Sequence, residues 1–254
     1  MDWKVFLDTA PSGGMTYLGW LISGLFWTLA VSAFAWVIAF SLGSLIGVMR
    51  TTPIRAARAI GTVYVEIFRN IPLLVQMFLW YFVVPEILPT VVGDWLKQTL
   101  PYLFTLPFAA QFSLFEFLAA VLCLGLYTAS RVAEQVRSGI ESLPRGQTNA
   151  GLAMGLTLPQ VYRHVTLPMS FRIIIPPMTS EFLTIFKNSS TALTIGVLEL
   201  TAQSRQISEY TFKTFEAFAA ATLIYIVITM TVIFLMRALE RRVAVPGYIA
   251  PTSH

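Results

Sequence analysis

The amino-acid sequence predicts an all-α membrane protein with five transmembrane helices and a cytoplasmic helical hairpin. Of its 254 residues, 56% are hydrophobic and 12% are charged, whereas about 25% of residues are charged in an average soluble domain. Long intervals without Asp, Glu, Lys or Arg recur along the chain, and about 20 apolar residues are enough for a helix to cross a membrane. One polar interval, residues 149–168, interrupts this pattern and predicts a hairpin outside the membrane.

Apolar intervals with few or no charges, together with prolines, set the bounds of the spans. The five predicted spans are residues 16–49, 62–84, 114–136, 174–198 and 215–236. We expect the second span to end at Pro85 and the fourth to open at Pro176, because proline has no backbone N–H to donate within a helix. Gly43 and Gly47 form a GxxxG pattern in the first span. This pattern permits close helix approach, although ordinary packing explains it as well.

Lys and Arg in the connections predict the orientation. The two loops and the tail on one side of the predicted membrane carry ten of these cations, and the connections on the other side carry four. Because positive residues favour the cytoplasmic side, we expect the N-terminus outside, the C-terminus inside and the polar hairpin in the cytosol.

The polar interval predicts two short helices separated by a glycine turn. The first helix is expected over residues 143–154, and Gly155 follows where a helix C-terminus favours positive φ. Thr157 and Gln160 match a capping box, with Pro159 in the first turn. A DNA-binding helix-turn-helix shares this outline, but the hairpin is tied to spans at both ends and lacks a basic recognition helix. A passive loop is a further alternative.

The spacing within this interval resembles the EAA loop of permease subunits in ABC importers. In that family Glu-Ala-Ala is followed by three residues, Gly, nine residues and Ile-x-Leu-Pro. The matching positions are Asn149, Ala150, Gly151, Gly155, Leu167 and Pro168. Asn149 replaces the family glutamate and Gly151 replaces an alanine. The resemblance implies that the six residues belong to a coupling-helix hairpin that docks into a cytoplasmic ATPase.

Further segments resemble permeases for polar amino acids. Residues 64–76 look like the second-span signature of those permeases, and residues 187–190 look like the segment that follows their loop. Residues 142–147 and 153–160 are similar to bacterial glutamate/aspartate permeases, as are the short segments 17–20 and 242–247. The resemblance implies one transmembrane permease domain over residues 1–254, with its coupling loop at 143–168, in the bacterial cytoplasmic (inner) membrane.

Polar residues inside the spans are the candidate substrate path, because charge within a membrane is costly and is a functional hypothesis by default. The candidates are Arg69, Gln76, Glu134, Glu181, Thr184, Lys187, Asn188 and Thr191. Those of the fourth span fall within an arc of about 120° at 100° per residue. For an acidic amino acid, Arg69 or Lys187 would face the side-chain carboxylate, and Glu134 or Glu181 would accept from the α-ammonium.

Structural ion pairs are the alternative for the same charges. Glu66 with Arg69, and Arg131 with Glu134, have the i, i+3 spacing at which side chains of one helix meet. In the same way, Lys187 could pair with a carboxylate to seal a helix contact. Both interpretations are open at this point.

The energy source is expected to be a partner. The chain lacks a GxxxxGK[ST] phosphate loop and any Cys/His cluster with metal-site spacing, so we expect no enzyme activity, cofactor or metal in it. The resemblance implies a cytoplasmic ATPase dimer that holds ATP and Mg²⁺, a second permease, identical or homologous, a periplasmic solute-binding protein, and no nucleic acid.

Two other classes of function remain open from the sequence. One is a secondary amino acid transporter driven by an ion gradient through Glu66, Glu134 and Glu181, which predicts inverted repeats; none is evident by inspection. The other is a membrane receptor or scaffold that binds the ATPase without transport.

Overall fold

A computed structural model describes residues 1–11, 14–100 and 112–243, apart from the side chains of Arg145, Leu239 and residues 241–243. In this part of the chain the helices follow one another without a strand. We number the α-helices α1 Tyr17–Thr51, α2 Arg55–Asn70, α3 Leu73–Phe78, α4 Val84–Ile87, α5 Thr90–Asp94, α6 Leu114–Glu141, α7 Arg145–Ala153, α8 Leu158–Val161, α9 Leu167–Asn188, α10 Leu200–Thr211 and α11 Thr214–Val243. Short 3₁₀ and π-helical turns join several of them.

Three helices of the described chain are long and apolar enough to cross a membrane. They are Tyr17–Thr51, Leu114–Glu141 and the Thr214–Ala238 part of α11. A fourth is added if Arg55–Asn70 and Leu73–Ile87 are two pieces of one broken span. The third and fifth predicted spans lie within the long helices, and the first does so apart from its first residue, Thr16. A continuous apolar run of this length is sufficient to predict a helix in a membrane.

The predicted second span is not one helix. α2 ends at Asn70 and α3 begins at Leu73. Pro72 explains the break, because proline disfavours the helical conformation at the preceding residue and removes a backbone donor. The expectation of a continuous helix over residues 62–84 is therefore wrong, and the path candidates Arg69 and Gln76 lie on different helices.

The predicted fourth span is wrong at both ends. α9 begins at Leu167 and carries Pro176 and Pro177 in its interior. It ends at Asn188 and is followed by a 3₁₀ helix over Ser189–Ile195, which Gly196 ends with φ at +97°. Because the α-helical period stops at Asn188, the polar arc predicted for this span does not extend to Thr191.

Hydroxyl side chains accompany the change from α to 3₁₀ geometry after α9. Ser189 Oγ donates to the Phe186 carbonyl at 2.7 Å. The hydroxyls of Ser190 and Thr191 each bond in the same way to the carbonyl three residues before them, at 2.8 and 2.7 Å. Such side-chain bonds offer the backbone an alternative to the α-helical ladder.

The described chain divides into two compact units. Unit 1 contains Met1–Val37, Ile71–Gly125 and Thr184–Met230, and unit 2 contains Ile38–Asn70, Leu126–Leu183 and Thr231–His254. The buried core of unit 1 includes Trp20, Leu21, Leu200, Ile207 and Ala217. That residues 1–254 form a single permease domain stays a prediction.

Within unit 2, α1 and α6 approach closely at the GxxxG pattern. A Cβ atom added to Gly43 would lie 2.7 Å from the carbonyl oxygen of Ala129, and one added to Gly47 would lie 2.6 Å from Cβ of Val136. Real Cβ atoms do not make contacts this short. The two glycines therefore allow α1 and α6 to approach closely, which is the first of the two explanations that the sequence left open.

Candidate coupling hairpin and translocation path

The polar hairpin begins with α7 and turns at Gly155. Gly155 has φ at +86°, and the Leu156 N–H donates to the Gly151 carbonyl at 3.1 Å. This i to i+5 bond and the left-handed glycine are those of a Schellman motif. The Thr157 N–H then donates to Gln160 Oε1 at 2.7 Å, which belongs to a capping box. The glycine turn and the capping box predicted from the sequence are both present.

The second arm of the hairpin continues without interruption toward α9. α8 ends at Val161, a π-helical turn covers Tyr162–Thr166, and α9 starts at Leu167. The polar sequence predicted a separate short helix here. The connecting backbone is helical throughout, so the second arm is the beginning of a much longer rod.

Gly151 explains how the two arms meet. It is buried, and a Cβ atom at this position would lie 2.9 Å from Val161 Cγ2. An alanine, the residue of the family pattern, would force Val161 to move. The departure from the pattern at Gly151 is thus matched to the branched side chain opposite it.

The outer surface of the hairpin combines exposed polar and apolar side chains. Of the six predicted coupling residues, Gly151 is buried, Leu167 is half-buried, and the others are exposed: Asn149, Ala150, Gly155 and Pro168. Between them Leu152 is 44% exposed and Met154 is 81% exposed. Exposed apolar side chains on a polar segment favour a protein-docking surface.

Glu134 of α6 lies at the centre of an ion-pair cluster in unit 2. Its carboxylate accepts from Arg50 Nη1 at 2.5 Å and from Arg137 Nε at 3.1 Å. Arg69 Nη1 lies 3.6 Å from the same carboxylate, and Arg137 also bonds to Glu141 at 2.5 Å. Both oxygens of Glu134 are therefore engaged by guanidinium groups.

A second pair in unit 2 joins Arg131 to Glu181. Arg131 Nε and Nη2 donate to the two oxygens of Glu181 at 2.6 and 3.1 Å. This is the two-pronged geometry that makes Arg–carboxylate pairs strong. The Glu181 side chain is 6% exposed and that of Arg131 is 40% exposed.

The intrahelical pairs predicted as structural alternatives are wrong. Arg69 approaches Glu134, while Glu66 accepts from Asn70 Nδ2 at 3.0 Å. Arg131 bonds to Glu181 in place of Glu134. An i, i+3 pair adds only about 0.2–0.5 kcal/mol, so contacts between helices, which sequence spacing does not reveal, can decide the partners of Arg69 and Arg131, although Arg137 does pair with Glu134 three residues before it.

Lys187 lies at a cavity within unit 1. The cavity has a volume of about 540 Å³. Its lining residues are Lys187, Ser190, Thr201, Thr222, Tyr225, Ile226, Thr229 and Met230. Over the described residues, no carboxylate forms an ion pair with the Lys187 ammonium. The cavity thus presents the Lys187 cation and several hydroxyl groups within a lining that is mostly apolar.

The other predicted path residues are divided between the two units. Arg69, Glu134 and Glu181 belong to unit 2, and Gln76, Thr184, Asn188 and Thr191 belong to unit 1 with Lys187. Gln76 is buried, and its Nε2 donates to the Ile71 carbonyl at 2.9 Å. Arg69 and Glu134 are the pair of candidates that the structure brings within ion-pair distance.

Glu199 was not among the candidates, although it is completely buried in unit 1. It precedes α10 as the N-cap residue and accepts from the Thr201 and Ala202 N–H groups at 3.0 and 2.8 Å. Tyr225 Oη also donates to it at 2.8 Å. A carboxylate is favourable next to a helix N-terminus, but glutamate is not among the residues preferred at an N-cap, so the local sequence offered only a weak signal for it.

Comparison with known proteins identifies the family. Residues 39–245 match the family described as binding-protein-dependent transport system inner membrane component. The chain belongs to this family. Membership of the binding-protein-dependent transport family makes the chain an inner-membrane permease component, a transport subunit rather than a catalyst. The predicted resemblance to ABC importer permeases is confirmed.

Individual members of the binding-protein-dependent transport family match nearly end to end. The chain is 50% identical over 247 residues to the glutamate/aspartate import permease protein GltJ of Escherichia coli K12, which covers 97% of this chain and 96% of that one. It is 33% identical to the probable glutamine ABC transporter permease protein GlnM of Bacillus subtilis 168, over 87% and 92% of the two chains. A crystal structure of an amino acid ABC transporter with histidines matches with a TM-score of 0.71 and 29% identity, over 89% of this chain and 95% of that one.

The geometry at Gly155 predicts the effect of a substitution there. Gly155→Val should destabilise the turn by about 1–2 kcal/mol, because a β-branched residue disfavours a left-handed backbone. We expect faster hydrogen exchange at the amides of residues 155–161, measured by mass spectrometry on the detergent-solubilised chain. Gly146→Ala is the control, since an added Cβ meets nothing within 4 Å there. Equal exchange in both variants would contradict the prediction.

Proposed function

We propose that this chain is the permease subunit through which an ATP-driven ABC importer moves glutamate and aspartate into the cell. The observation that carries the proposal is the 50% identity with the glutamate/aspartate import permease protein GltJ over 97% of the chain. Lys187 at the 540 Å³ cavity supplies a cation that could pair with a substrate carboxylate.

The proposed topology has five transmembrane helices, with the N-terminus outside and the C-terminus and the hairpin in the cytosol. The excess of Lys and Arg in the connections on the hairpin side supports this orientation. The fourth span in this proposal is α9, and the second is the broken pair of Arg55–Asn70 with Leu73–Ile87. Together with the three long apolar helices, they account for five crossings.

The proposed partners follow from the family and from the hairpin surface. A cytoplasmic ATPase dimer would hold ATP and Mg²⁺ and receive the hairpin around Leu152 and Met154, which are exposed. A periplasmic solute-binding protein would deliver the amino acid, and a second permease, identical or homologous, would complete the path. Closure of the ATPase dimer would then move the docked hairpins.

Within the proposed path, Lys187 is the candidate for a substrate carboxylate. It has no acidic partner among the described residues and borders a cavity, whereas the carboxylates of Glu134 and Glu181 are already engaged by arginines. Arg131 and Glu181 pair with each other, so this ion pair would have to break before either residue could bind the substrate. This ordering of the candidates makes Lys187 the first to test.

Reconstitution tests the proposed function. Proteoliposomes that contain the permease with its ATPase and the solute-binding protein should accumulate radiolabelled glutamate only when ATP is enclosed with the ATPase. Proteoliposomes with the permease alone should show no uptake under an imposed proton or sodium gradient. Uptake by the permease alone would overturn the importer proposal in favour of a secondary transporter. ATP hydrolysis without any uptake would favour a receptor or scaffold.

The role of Lys187 predicts a loss of uptake on its replacement. Lys187→Gln should lower glutamate uptake at least tenfold, since a charged hydrogen bond to a carboxylate contributes about 1.5–3 kcal/mol. The control is Lys4→Gln, which removes an exposed ammonium near the N-terminus. The initial rate of ATP-dependent uptake is the measurement. An unchanged rate in the Lys187 variant would remove this residue from the path.

A further inference from the structure

The Glu134 carboxylate joins the ends of helices that are separate in sequence. Arg50 is in the last turn of α1, and Arg69 is in the last turn of α2. Their guanidinium groups lie 2.5 and 3.6 Å from Glu134, which belongs to α6. Arg50 has a side chain that is 9% exposed, so its charge depends on this carboxylate for compensation. The Glu134 carboxylate thus links α1, α2 and α6 within unit 2.

The hairpin forms a hydrogen bond to the end of α1, next to Arg50. Tyr162 lies in the π-helical turn between α8 and α9, and its hydroxyl donates to the carbonyl oxygen of Thr51 at 2.8 Å. Thr51 is the last residue of α1 and the neighbour of Arg50. A continuous line of contacts therefore runs from the hairpin through Tyr162 and the end of α1 to Glu134.

α1 packs closely against both α6 and α2, so the three helices form a stiff body. Gly43 and Gly47 place the backbone of α1 directly against α6, and the stem of Arg50 lies against Gly61 of α2. Side chains packed at this density cannot absorb a displacement by small rearrangements. A pull on the end of α1 would consequently move α6 and α2 with it.

We propose that Tyr162 and Glu134 are positioning residues that transmit the displacement of the hairpin to α1, α2 and α6. This inference rests on the proposed function, in which the ATPase moves the hairpin. The Tyr162 hydroxyl supplies the link from the hairpin to α1, and the Glu134 carboxylate distributes the movement among the three helix ends. Neither residue needs to touch the transported amino acid. Coupling between distant sites is carried by such chains of hydrogen bonds, ion pairs and rigid elements.

The number of amino acids imported per ATP hydrolysed tests the proposal. Tyr162→Phe keeps the ring and removes the hydroxyl bonded to Thr51, so this ratio should fall roughly 2- to 10-fold, as expected for one hydrogen bond. Glu134→Gln should lower the same ratio. Both are measured in proteoliposomes that contain the complete complex, and gel filtration of each variant reports assembly. If Glu134→Gln fails to assemble, Tyr162→Phe alone decides.

The double variant and a matched control sharpen the test. Tyr162→Phe combined with Glu134→Gln should lower the ratio no further than the more severe single variant, because both interrupt one line of contacts. If the losses in this ratio from the two single variants add up in the double variant, Tyr162 and Glu134 do not act in one line of contacts, and the proposal is overturned. Tyr210→Phe, which removes the hydroxyl of a tyrosine whose ring packs on Trp20, should keep the wild-type ratio.

Failure of the inference is distinguishable from failure of the proposed function. If the wild-type complex imports glutamate with ATP and both variants keep its ratio, the inference is overturned and the function stands. Equal losses of uptake and of ATP hydrolysis also overturn it, since the ratio is then unchanged. If wild-type uptake is independent of the ATPase, the proposed function itself is wrong, and the inference fails with it.

Discussion

Gly47→Leu is expected to prevent assembly of the permease. A Cβ atom at this position would lie 2.6 Å from Val136 Cβ and 2.8 Å from the carbonyl oxygen of Ala133. A backbone oxygen cannot move aside as a flexible side chain can, so leucine must push α1 and α6 apart. Forced overpacking typically costs 1–3 kcal/mol and occasionally more, and separation of the two helices would also loosen the Arg50–Glu134 pair. Gel filtration in detergent should show aggregate in place of the monodisperse peak.

Ser41→Leu is the matched control for this substitution. Ser41 lies on the same helix but is exposed, so the same side chain is added to a surface that faces outward from the chain. We expect normal assembly and normal uptake from the Ser41 variant. Normal assembly of Gly47→Leu would show that α1 and α6 separate at little cost, and the packing role of the GxxxG pattern would be wrong.

Glu199→Ala is expected to be the most destabilising polar substitution. The change removes the cap of α10 and leaves the Thr201 and Ala202 N–H groups and the Tyr225 hydroxyl without their acceptor. Loss of a cap and of buried hydrogen bonds to a carboxylate should lower the free energy of unfolding by about 3 kcal/mol. Unfolding with SDS, followed by tryptophan fluorescence, measures the change.

Two further variants complete the test of Glu199. Glu199→Gln keeps one acceptor oxygen, and we expect a smaller loss than with alanine. Glu209→Ala removes an exposed carboxylate that pairs with Arg205 four residues earlier on the same helix, and it should change the free energy of unfolding by less than about 0.5 kcal/mol. If the two alanine variants lose similar amounts of unfolding free energy, the burial of Glu199 and its capping of α10 do not stabilise the protein beyond the effect of an exposed carboxylate.

Local and compositional features of this chain could be predicted from its sequence. The long apolar helices follow from hydropathy, and the turn at Gly155 and the capping box of Thr157 and Gln160 follow from residues a few positions apart. The break at Pro72 was also encoded locally. It was missed because the apolar run after Pro72 was joined to the segment with Glu66 and Arg69 as one predicted span, although proline restricts the residue before it.

Interactions between distant residues could not be predicted in this way. Glu134 pairs with Arg137 at i+3 and not with Arg131 at i−3, and its other partners, Arg50 and Arg69, come from other helices. Of the charges that seemed suited to substrate, Glu181 is buried and Glu134 is half-buried, whereas Arg69 and Lys187 are exposed. Spacing along one helix cannot show which of them neutralise one another. The ion pairs of Arg69, Glu134 and Glu181 are visible only in the structure, and they distinguish these residues from Lys187, which has no acidic partner among the described residues.

The exposed Leu152 and Met154 have a consequence for how this protein can be handled. Detergent covers apolar side chains in the belt that replaces lipid, but in the proposed topology the hairpin projects into the cytosol and lies beyond that belt. A permease purified without the proposed ATPase would therefore retain uncovered apolar surface in water, through which two copies can associate. Co-expression with the ATPase should yield better-behaved material than any choice of detergent.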